Sequence, residues 1–235
     1  MTLADLVARV RCLLIDFDGP ICSVFAGYPA ADVAQRLREV VRERLDGNLP
    51  SSIAVSNVDP LQLLGQVEAL GDDELTRAVA ETCRDAETTA VASARATPGA
   101  EDLLRTAHRT GRRVVIVSNN ASAAIETYLR DNDLNGYVDG VAARFDGMSP
   151  RLLKPHPFLI ESGLKTVHVQ PGDALFIGDS VTDVKAGQAA GTPTIGYANK
   201  PGKHRLLTDA GADGVIETMK SLVQALQPVT TGPSA

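Results

Sequence analysis

The chain has 235 residues, of which 44% are hydrophobic, and this is enough to bury one substantial core, alone or with a small accessory domain. The formal net charge is -6 and no stripe of Lys and Arg accumulates, which argues against a nucleic-acid or anionic-membrane surface. Charged residues interrupt the apolar N-terminal segment and no apolar run approaches the ~18 residues of a membrane helix, so we expect neither a secretion signal nor a membrane span.

The number and spacing of the cysteines also limit the class of protein. Cys12, Cys22 and Cys83 are odd in number, lie far apart and form no CxxC arrangement. A disulfide framework or a structural zinc site would need closer and paired spacing. We therefore expect free thiols and a reducing, cytoplasmic environment.

Short apolar runs alternate with helical patterns along most of the chain. The runs fall at 11–16, 112–118, 137–143, 173–178, 192–197 and 213–217. Thr97 as N-cap and Pro98 at the first position predict a helix that ends at Arg109, and another helix is predicted from Asp183 to Ala190. Strands separated by helices imply parallel βαβ units, so the predicted class is α/β, with a Rossmann-like parallel sheet as its core.

Residues 20–96 interrupt this alternation. One-sided apolar spacing runs through 33–45 and 75–90, and a shorter helical stretch follows Asp59-Pro60. These patterns predict a small helical bundle, which we call the helical insertion. The predicted organisation is a core of residues 1–19 and 97–226, the insertion at 20–96, and a disordered Pro/Thr/Gly/Ser-rich tail at 227–235.

Polar side chains follow three of the predicted strands. Asp16 and Asp18 end the first strand, Ser118 and the adjacent Asn119 end the second, and Asp179 follows a later one, with Asp183 four positions further on. An Asp-x-Asp-Gly sequence alone is equally typical of a strand-ending turn. Because the carboxyl ends of parallel strands meet at one edge, however, the combination predicts a polar site there.

The carboxylates at this edge require positive charge among them. Two unit charges ~4 Å apart cost about 4 kcal/mol at an effective dielectric constant near 20. An all-oxygen ligand set favours Mg²⁺. Lys154, in the sequence LLKPHP, is the second candidate source of positive charge.

With these residues in this order, the chain resembles the haloacid dehalogenase superfamily, and the resemblance extends from about residue 11 to residue 217. The resemblance rests on four motifs in family order, which are DFDG at 16–19, Ser118 in VVIVSNN, Lys154 in LLKPHP, and GDSVTD at 178–183. The helical insertion after the first motif is similar to the C1-type cap of phosphoglycolate-phosphatase-like and β-phosphoglucomutase-like members. The chain departs from them in DGPICSVFAG, where Pro20 replaces the usual Thr, so their substrates do not transfer directly.

The resemblance implies a Mg²⁺-dependent phosphatase that hydrolyses a small phosphorylated metabolite through an aspartyl-phosphate. Asp16 would be the nucleophile and Asp18 the general acid and base. Ser118 and Asn119 would bind a phosphoryl oxygen, and Lys154 would balance the charge of nucleophile and phosphate.

The resemblance also implies a metal site. Asp16, Asp179 and the Asp18 carbonyl would hold Mg²⁺. Three roles stay open for Asp183, which are direct ligation, ligation through water, and orientation of Lys154. The insertion would act as a lid, with its 46–59 loop on the leaving group.

Two alternatives to a phosphatase remain at this level. A phosphomutase of the β-phosphoglucomutase type shares the core residues and differs in how well its cap excludes water. A binding module without catalysis on the same fold is the other alternative, although the intact set of Asp16, Asp18, Ser118, Lys154 and Asp179 argues against it. The sequence specifies neither the substrate nor the oligomeric state.

Overall fold

The computed structural model describes residues 2–54 and 59–227. Its helices are α1 Leu3–Ala8, α2 Ala30–Arg44, α3 Pro60–Glu68, α4 Asp73–Ala90, α5 Ala100–Arg109, α6 Ser122–Asp131, α7 Phe158–Thr166, α8 Val181–Ala190, α9 Lys203–Asp209 and α10 Met219–Leu226. Its strands are β1 Cys12–Ile15, β2 Cys22–Ser23, β3 Arg95–Ala96, β4 Arg113–Ala121, β5 Gly140–Arg144, β6 Ala174–Gly178, β7 Thr194–Tyr197 and β8 Gly214–Ile216. Within the described ranges, no helix is both long and apolar enough to cross a membrane.

Six of the strands form one parallel sheet in the order β5-β4-β1-β6-β7-β8. The strand β1 lies between β4 and β6, with Leu14 opposite Val115 on one side and Phe176 on the other. All four residues of β1 are buried, as expected for a strand whose two faces are covered by helices. The predicted α/β class with a Rossmann-like core is confirmed.

Alternating residues of the central strands supply the two faces of the core. Leu13 and Ile15 belong to one apolar cluster, which includes residues of α1, α5, α6 and α10. Cys12 and Leu14 belong to a second cluster, which includes residues of α7 and α8. This alternation follows from the two-residue repeat of a strand.

The start of α5 differs from the prediction. Thr97 is not its N-cap, because the helix begins at Ala100 after Gly99, which has a φ of +84°. The Thr97 hydroxyl instead donates a hydrogen bond to the Gly19 carbonyl oxygen at 2.6 Å. The local pattern predicted that the Thr97 hydroxyl would cap α5. In the structure, this hydroxyl binds a residue that is distant in sequence.

The helical insertion has an apolar cluster of its own. Side chains of α2, α3 and α4 pack on one another around Leu37, Leu64 and Val79. At the base, β2 and β3 form an antiparallel pair in which Cys22 lies opposite Ala96. The boundaries at 20–96 stay a prediction, and so does the disordered tail, of which only Gln227 is within the described residues.

Candidate active site

The first two acidic residues of the site follow β1. The Asp16 amide donates to the Ile177 carbonyl oxygen at 2.9 Å, which extends the sheet by one step and fixes the start of the loop. Phe17 is fully buried in the core, whereas Asp16 and Asp18 both line one cavity. The Asp18 carboxylate accepts a hydrogen bond from the Val24 amide at 2.9 Å.

Lys154 lies among the carboxylates. Its ammonium is 2.8 Å from Oδ1 of Asp16 and 2.6 Å from Oδ1 of Asp183, and it donates to the Val117 carbonyl oxygen at 3.3 Å. The residue is only 6% exposed. Burial opposes its charge, but the Asp16 and Asp183 carboxylates outweigh this and raise the pKa of Lys154 above its ordinary value. Lys154 is therefore a fixed positive charge.

Both carboxylate oxygens of Asp183 are engaged within the protein. Oδ1 contacts Lys154, while Oδ2 accepts from the amides of Asp179 at 3.1 Å and Ser180 at 3.0 Å. The Ser180 hydroxyl also donates to Oδ2, at 2.6 Å, and in return accepts from the Asp183 amide at 3.2 Å. This reciprocal capping box begins α8 and holds the Asp183 side chain in place.

Asp179 has two partners that the sequence did not reveal as site residues. Its Oδ2 accepts from the Asn199 side-chain amide at 2.8 Å and from the Lys203 ammonium at 2.5 Å. Both donors lie in the NKPGK segment after β7, at the same carboxyl edge of the sheet. That position after a strand end was the signal that could have identified them.

The acidic cluster fits a divalent cation. Carboxylate oxygens of Asp16, Asp179 and Asp183 lie within 4.8 Å of one another. With Asp18 they make four carboxylates, against the ammonium groups of Lys154 and Lys203 that form ion pairs with them. If all six groups are ionised, two negative charges remain in excess. A hard cation with oxygen ligands, such as Mg²⁺, matches both the charge and the donor type.

Burial also changes the acidity of the two carboxyl groups after β1. It raises the pKa of Asp16 to about 8, against the opposing effect of Lys154 and with a smaller contribution from Asp183. It raises the pKa of Asp18 to about 6, partly offset by the hydrogen bond from Val24. A carboxyl group with a pKa near 6 exchanges protons readily close to neutral pH.

The polar residues Ser118, Asn119 and Asn120 lie at the carboxyl end of β4, where Ser118 and Asn120 are buried and Asn119 is partly exposed. The Ser118 hydroxyl donates to Oδ1 of Asn120 at 3.1 Å. The Asn119 side chain is engaged with the main chain of Lys154, accepting from its amide at 2.8 Å and donating to its carbonyl oxygen at 3.2 Å. The Asn119 side chain therefore fixes the loop that carries Lys154.

A cavity of about 550 Å³ joins these groups to the helical insertion. All seven residues predicted for the site line it, namely Asp16, Asp18, Ser118, Asn119, Lys154, Asp179 and Asp183. The insertion contributes Asp59, Leu61, Gln62 and Gly65, and the core contributes Arg151. From the described part of the 46–59 loop, Asp59 is on this wall and Asn48 is not, while Asn57 lies outside the described residues.

Comparisons with known proteins bear on the family and the fold of this chain. The family model of haloacid dehalogenase-like hydrolases matches residues 10–191. The phosphoglycolate phosphatase of Nitrosospira multiformis is 26% identical over 226 residues, which cover 93% of this chain and 96% of that protein.

Two crystal structures are similar in fold. The CbbY protein of Rhodobacter sphaeroides, in complex with phosphate, has a TM-score of 0.64 at 20% identity and covers 92% of this chain and 99% of its own. The β-phosphoglucomutase of Clostridium difficile has a TM-score of 0.65 at 17% identity and covers 92% of this chain and 97% of its own.

Proposed function

We propose, from the premise that the chain belongs to the haloacid dehalogenase-like hydrolase family, that it is a Mg²⁺-dependent phosphatase of small phosphorylated metabolites. One observation carries the proposal, which is that Asp16, Asp18, Ser118 and Lys154 line one cavity although they come from three distant segments of the chain. The phosphatase named among the relatives supports the same reaction class.

In this mechanism Asp16 attacks phosphorus and becomes an aspartyl-phosphate, which divides the hydrolysis into two displacements. Asp18 donates a proton to the leaving oxygen and later takes a proton from the attacking water. Its pKa of about 6 suits both steps at near-neutral pH. Ionised Asp16 is the form required for attack, and the contact with Lys154 stabilises that form.

The remaining residues hold and neutralise the phosphoryl group. When the phosphoryl group binds, Ser118 turns its single hydroxyl proton from Oδ1 of Asn120 to a phosphoryl oxygen, with help from the Asn119 main-chain amide, since the Asn119 side chain is engaged with Lys154. Asp183 orients Lys154, and this is the role favoured by its contacts among the three left open.

Mg²⁺ would be held by Asp16, Asp179 and the Asp18 carbonyl. When bound it would supply positive charge to the phosphoryl oxygens.

For the substrate, we propose a phosphate ester with a second anionic group, with phosphoglycolate as the first candidate. The relative from Nitrosospira multiformis bears that name. Arg151 lies on the cavity wall and pairs with Glu68 through Nε at 3.5 Å, and its terminal guanidinium nitrogens could bind a carboxylate. In the same proposal residues 20–96 form the cap, and Gln62 contacts the leaving group, while the Asp59 carboxylate caps α3.

The proposed location is the cytoplasm. Cys12, Cys22 and Cys83 are all buried and free, as a reducing compartment allows.

The test is a turnover assay on purified protein with phosphoglycolate, hexose phosphates, pyrophosphate and para-nitrophenyl phosphate. Asp16→Asn is the matched blank, because the amide has the same volume and cannot attack phosphorus. We expect Mg²⁺-dependent phosphate release that EDTA and Asp16→Asn both abolish. Transfer between the positions of a sugar phosphate, without net release, would favour a phosphomutase. Turnover by Asp16→Asn at the wild-type rate would disprove the proposed nucleophile.

A further inference from the structure

We propose that Glu87, on α4 of the helical insertion, is a positioning residue for Ser118 and acts through a buried ion pair with Arg144. The inference rests on the proposed function, because it assigns Ser118 to phosphate binding. It extends that function by making part of the insertion a structural element of the phosphate site.

The ion pair is buried where α4 meets the end of β5. Glu87 is fully buried and Arg144 is 5% exposed, and Nη2 of Arg144 donates to Oε2 of Glu87. Burying two charges carries a large desolvation penalty, so such a pair is weak evidence for stability and better evidence for a specific geometry.

Glu87 holds the chain directly after Ser118. Its Oε1 accepts from the Asn120 side-chain amide at 3.0 Å, and its Oε2 accepts from the Ala121 main-chain amide at 3.0 Å. The pairing of β4 with β5 shifts register between Ser118 and Ala121, so regular ladder hydrogen bonds are interrupted there. The carboxylate of Glu87 supplies acceptors at this irregular segment.

Asn120 passes this constraint to Ser118. With its nitrogen bound to Glu87, the Asn120 amide presents Oδ1 to the Ser118 hydroxyl, which donates to it at 3.1 Å. The Asn120 main-chain amide donates to the same hydroxyl oxygen at 3.3 Å. The orientation of the Ser118 side chain therefore depends on a carboxylate that the insertion contributes.

Arg144 extends the network towards Lys154. Its Nε donates to the Asn119 carbonyl oxygen at 3.1 Å, and its Nη1 donates to the Ala80 carbonyl oxygen in α4 at 3.3 Å. Asn119 in turn holds the main chain of Lys154. The ion pair between Glu87 and Arg144 therefore holds both the Ser118 side chain and the main chain at Lys154 in place.

The test replaces both charges by apolar side chains of similar length, in the double variant Glu87→Leu/Arg144→Met. The double replacement leaves no unpaired buried charge, but the Asn120 side-chain amide and the Ala121 main-chain amide lose their acceptor, so we expect a folded protein with a lower melting temperature than the wild type. We expect kcat for para-nitrophenyl phosphate to fall by about 100-fold. Orthophosphate binding, measured by calorimetry, should weaken by about tenfold, while the half-saturating Mg²⁺ concentration stays within about twofold, because Asp16 and Asp179 keep their contacts.

The matched control is Arg84→Gln/Asp146→Asn. Arg84 and Asp146 pair at 2.6 Å and join the same helix to the segment after the same strand, but on the surface and without contact to residues 118–121. This control should keep the wild-type kcat and orthophosphate affinity. If kcat and orthophosphate affinity fell as far in the control as in the test variant, the proposal would be overturned. The loss would then follow from breaking any ion pair between the insertion and the core, and not from Glu87 and Arg144 in particular.

The proposal would also be overturned if the double variant folded and kept the wild-type kcat and orthophosphate affinity. If the double variant fails to fold, Asn120→Ala keeps the ion pair between Glu87 and Arg144 and removes the side-chain link to Ser118, so an unchanged kcat and orthophosphate affinity in this variant would equally overturn the proposal. Calorimetry keeps the inference separate from the proposed function, because a wild type without turnover would refute the phosphatase while orthophosphate affinity still tests Glu87.

Discussion

The Lys203 ammonium lies 2.5 Å from Oδ2 of Asp179, although the two residues are 24 positions apart in the chain. The same oxygen accepts from Asn199 at 2.8 Å. Asp179, one of the proposed metal ligands, is therefore held by a neutral donor and a charged donor together. The charged donor places a positive charge beside the proposed cation site.

We expect Lys203→Met to lower the half-saturating Mg²⁺ concentration. Removal of a neighbouring positive charge favours a bound cation, while Asn199 continues to hold the Asp179 side chain. The change should be on the order of fivefold at low ionic strength and smaller at high salt. Lys203→Arg keeps the charge and is the control. An increase in the half-saturating concentration for Lys203→Met would show that its hydrogen bond matters more than its charge.

Asp179→Asn and Asp183→Asn should fail in different ways. Asp179→Asn should raise the half-saturating Mg²⁺ concentration by more than about tenfold, since it removes a proposed ligand charge. Asp183→Asn should change that concentration less and lower kcat at saturating Mg²⁺, because Asp183 pairs with Lys154. A Mg²⁺ titration of activity measures both quantities. The reverse order would mean that the two roles have been exchanged.

Gly19→Ala should disturb the site through Asp179. A Cβ at Gly19, where φ is +107°, would lie 2.5 Å from the Asp179 carboxylate carbon. We expect a loss of at least about tenfold in kcat/KM. Gly47→Ala is the matched control, since φ is +89° there and a Cβ would meet no atom within 4 Å. It should cost about 1 kcal/mol of stability and leave activity unchanged. Equal activity losses in both variants would contradict this argument.

In EDTA, the free energy of unfolding should fall as pH rises from about 4 to about 6. Burial raises the pKa of Asp18 to about 6 in the folded protein. In this interval the folded state binds more protons than the unfolded state, so stability decreases with pH and the contribution of Asp18 is lost above its folded pKa. Asp16, whose pKa burial raises to about 8, contributes in the same direction and extends the decline to about pH 8. Asp18→Asn should therefore reduce the slope between pH 4 and 6 without abolishing it, in urea unfolding measured at several pH values. A slope unchanged by the substitution would place the responsible proton elsewhere.

Substrate preference should respond to Gln62 and not to Asn48. Gln62 lies on the cavity wall, so Gln62→Ala should change the ratio of kcat/KM values for phosphoglycolate and para-nitrophenyl phosphate by about threefold to tenfold. The sequence analysis placed the whole 46–59 loop, which includes Asn48, on the leaving group, but Asn48 is absent from the cavity wall, and Asn48→Ala serves as the control. If both ratios stay at the wild-type value, the leaving group does not contact α3.

Strand ends were predictable because their determinants are local. Asp16, Asp18, Ser118 and Asp179 each follow an apolar run, and parallel strands bring their carboxyl ends to one edge whatever the intervening loops do. The α/β class and the acidic cavity follow from that rule. The four motifs added the expected role of each residue.

Contacts between distant segments could be identified only from the folded structure. Thr97 was predicted as a helix cap from its neighbours, yet its hydroxyl binds the Gly19 carbonyl oxygen. Glu87 and Arg144 occupy ordinary positions in a helix and a strand, and nothing in their local sequence indicates a buried pair 57 positions apart. Local periodicity determines which residues form each helix and strand. The packing of α4 near the end of β5 determines which polar groups are buried away from water, and these buried groups are stable only when they form hydrogen bonds with one another.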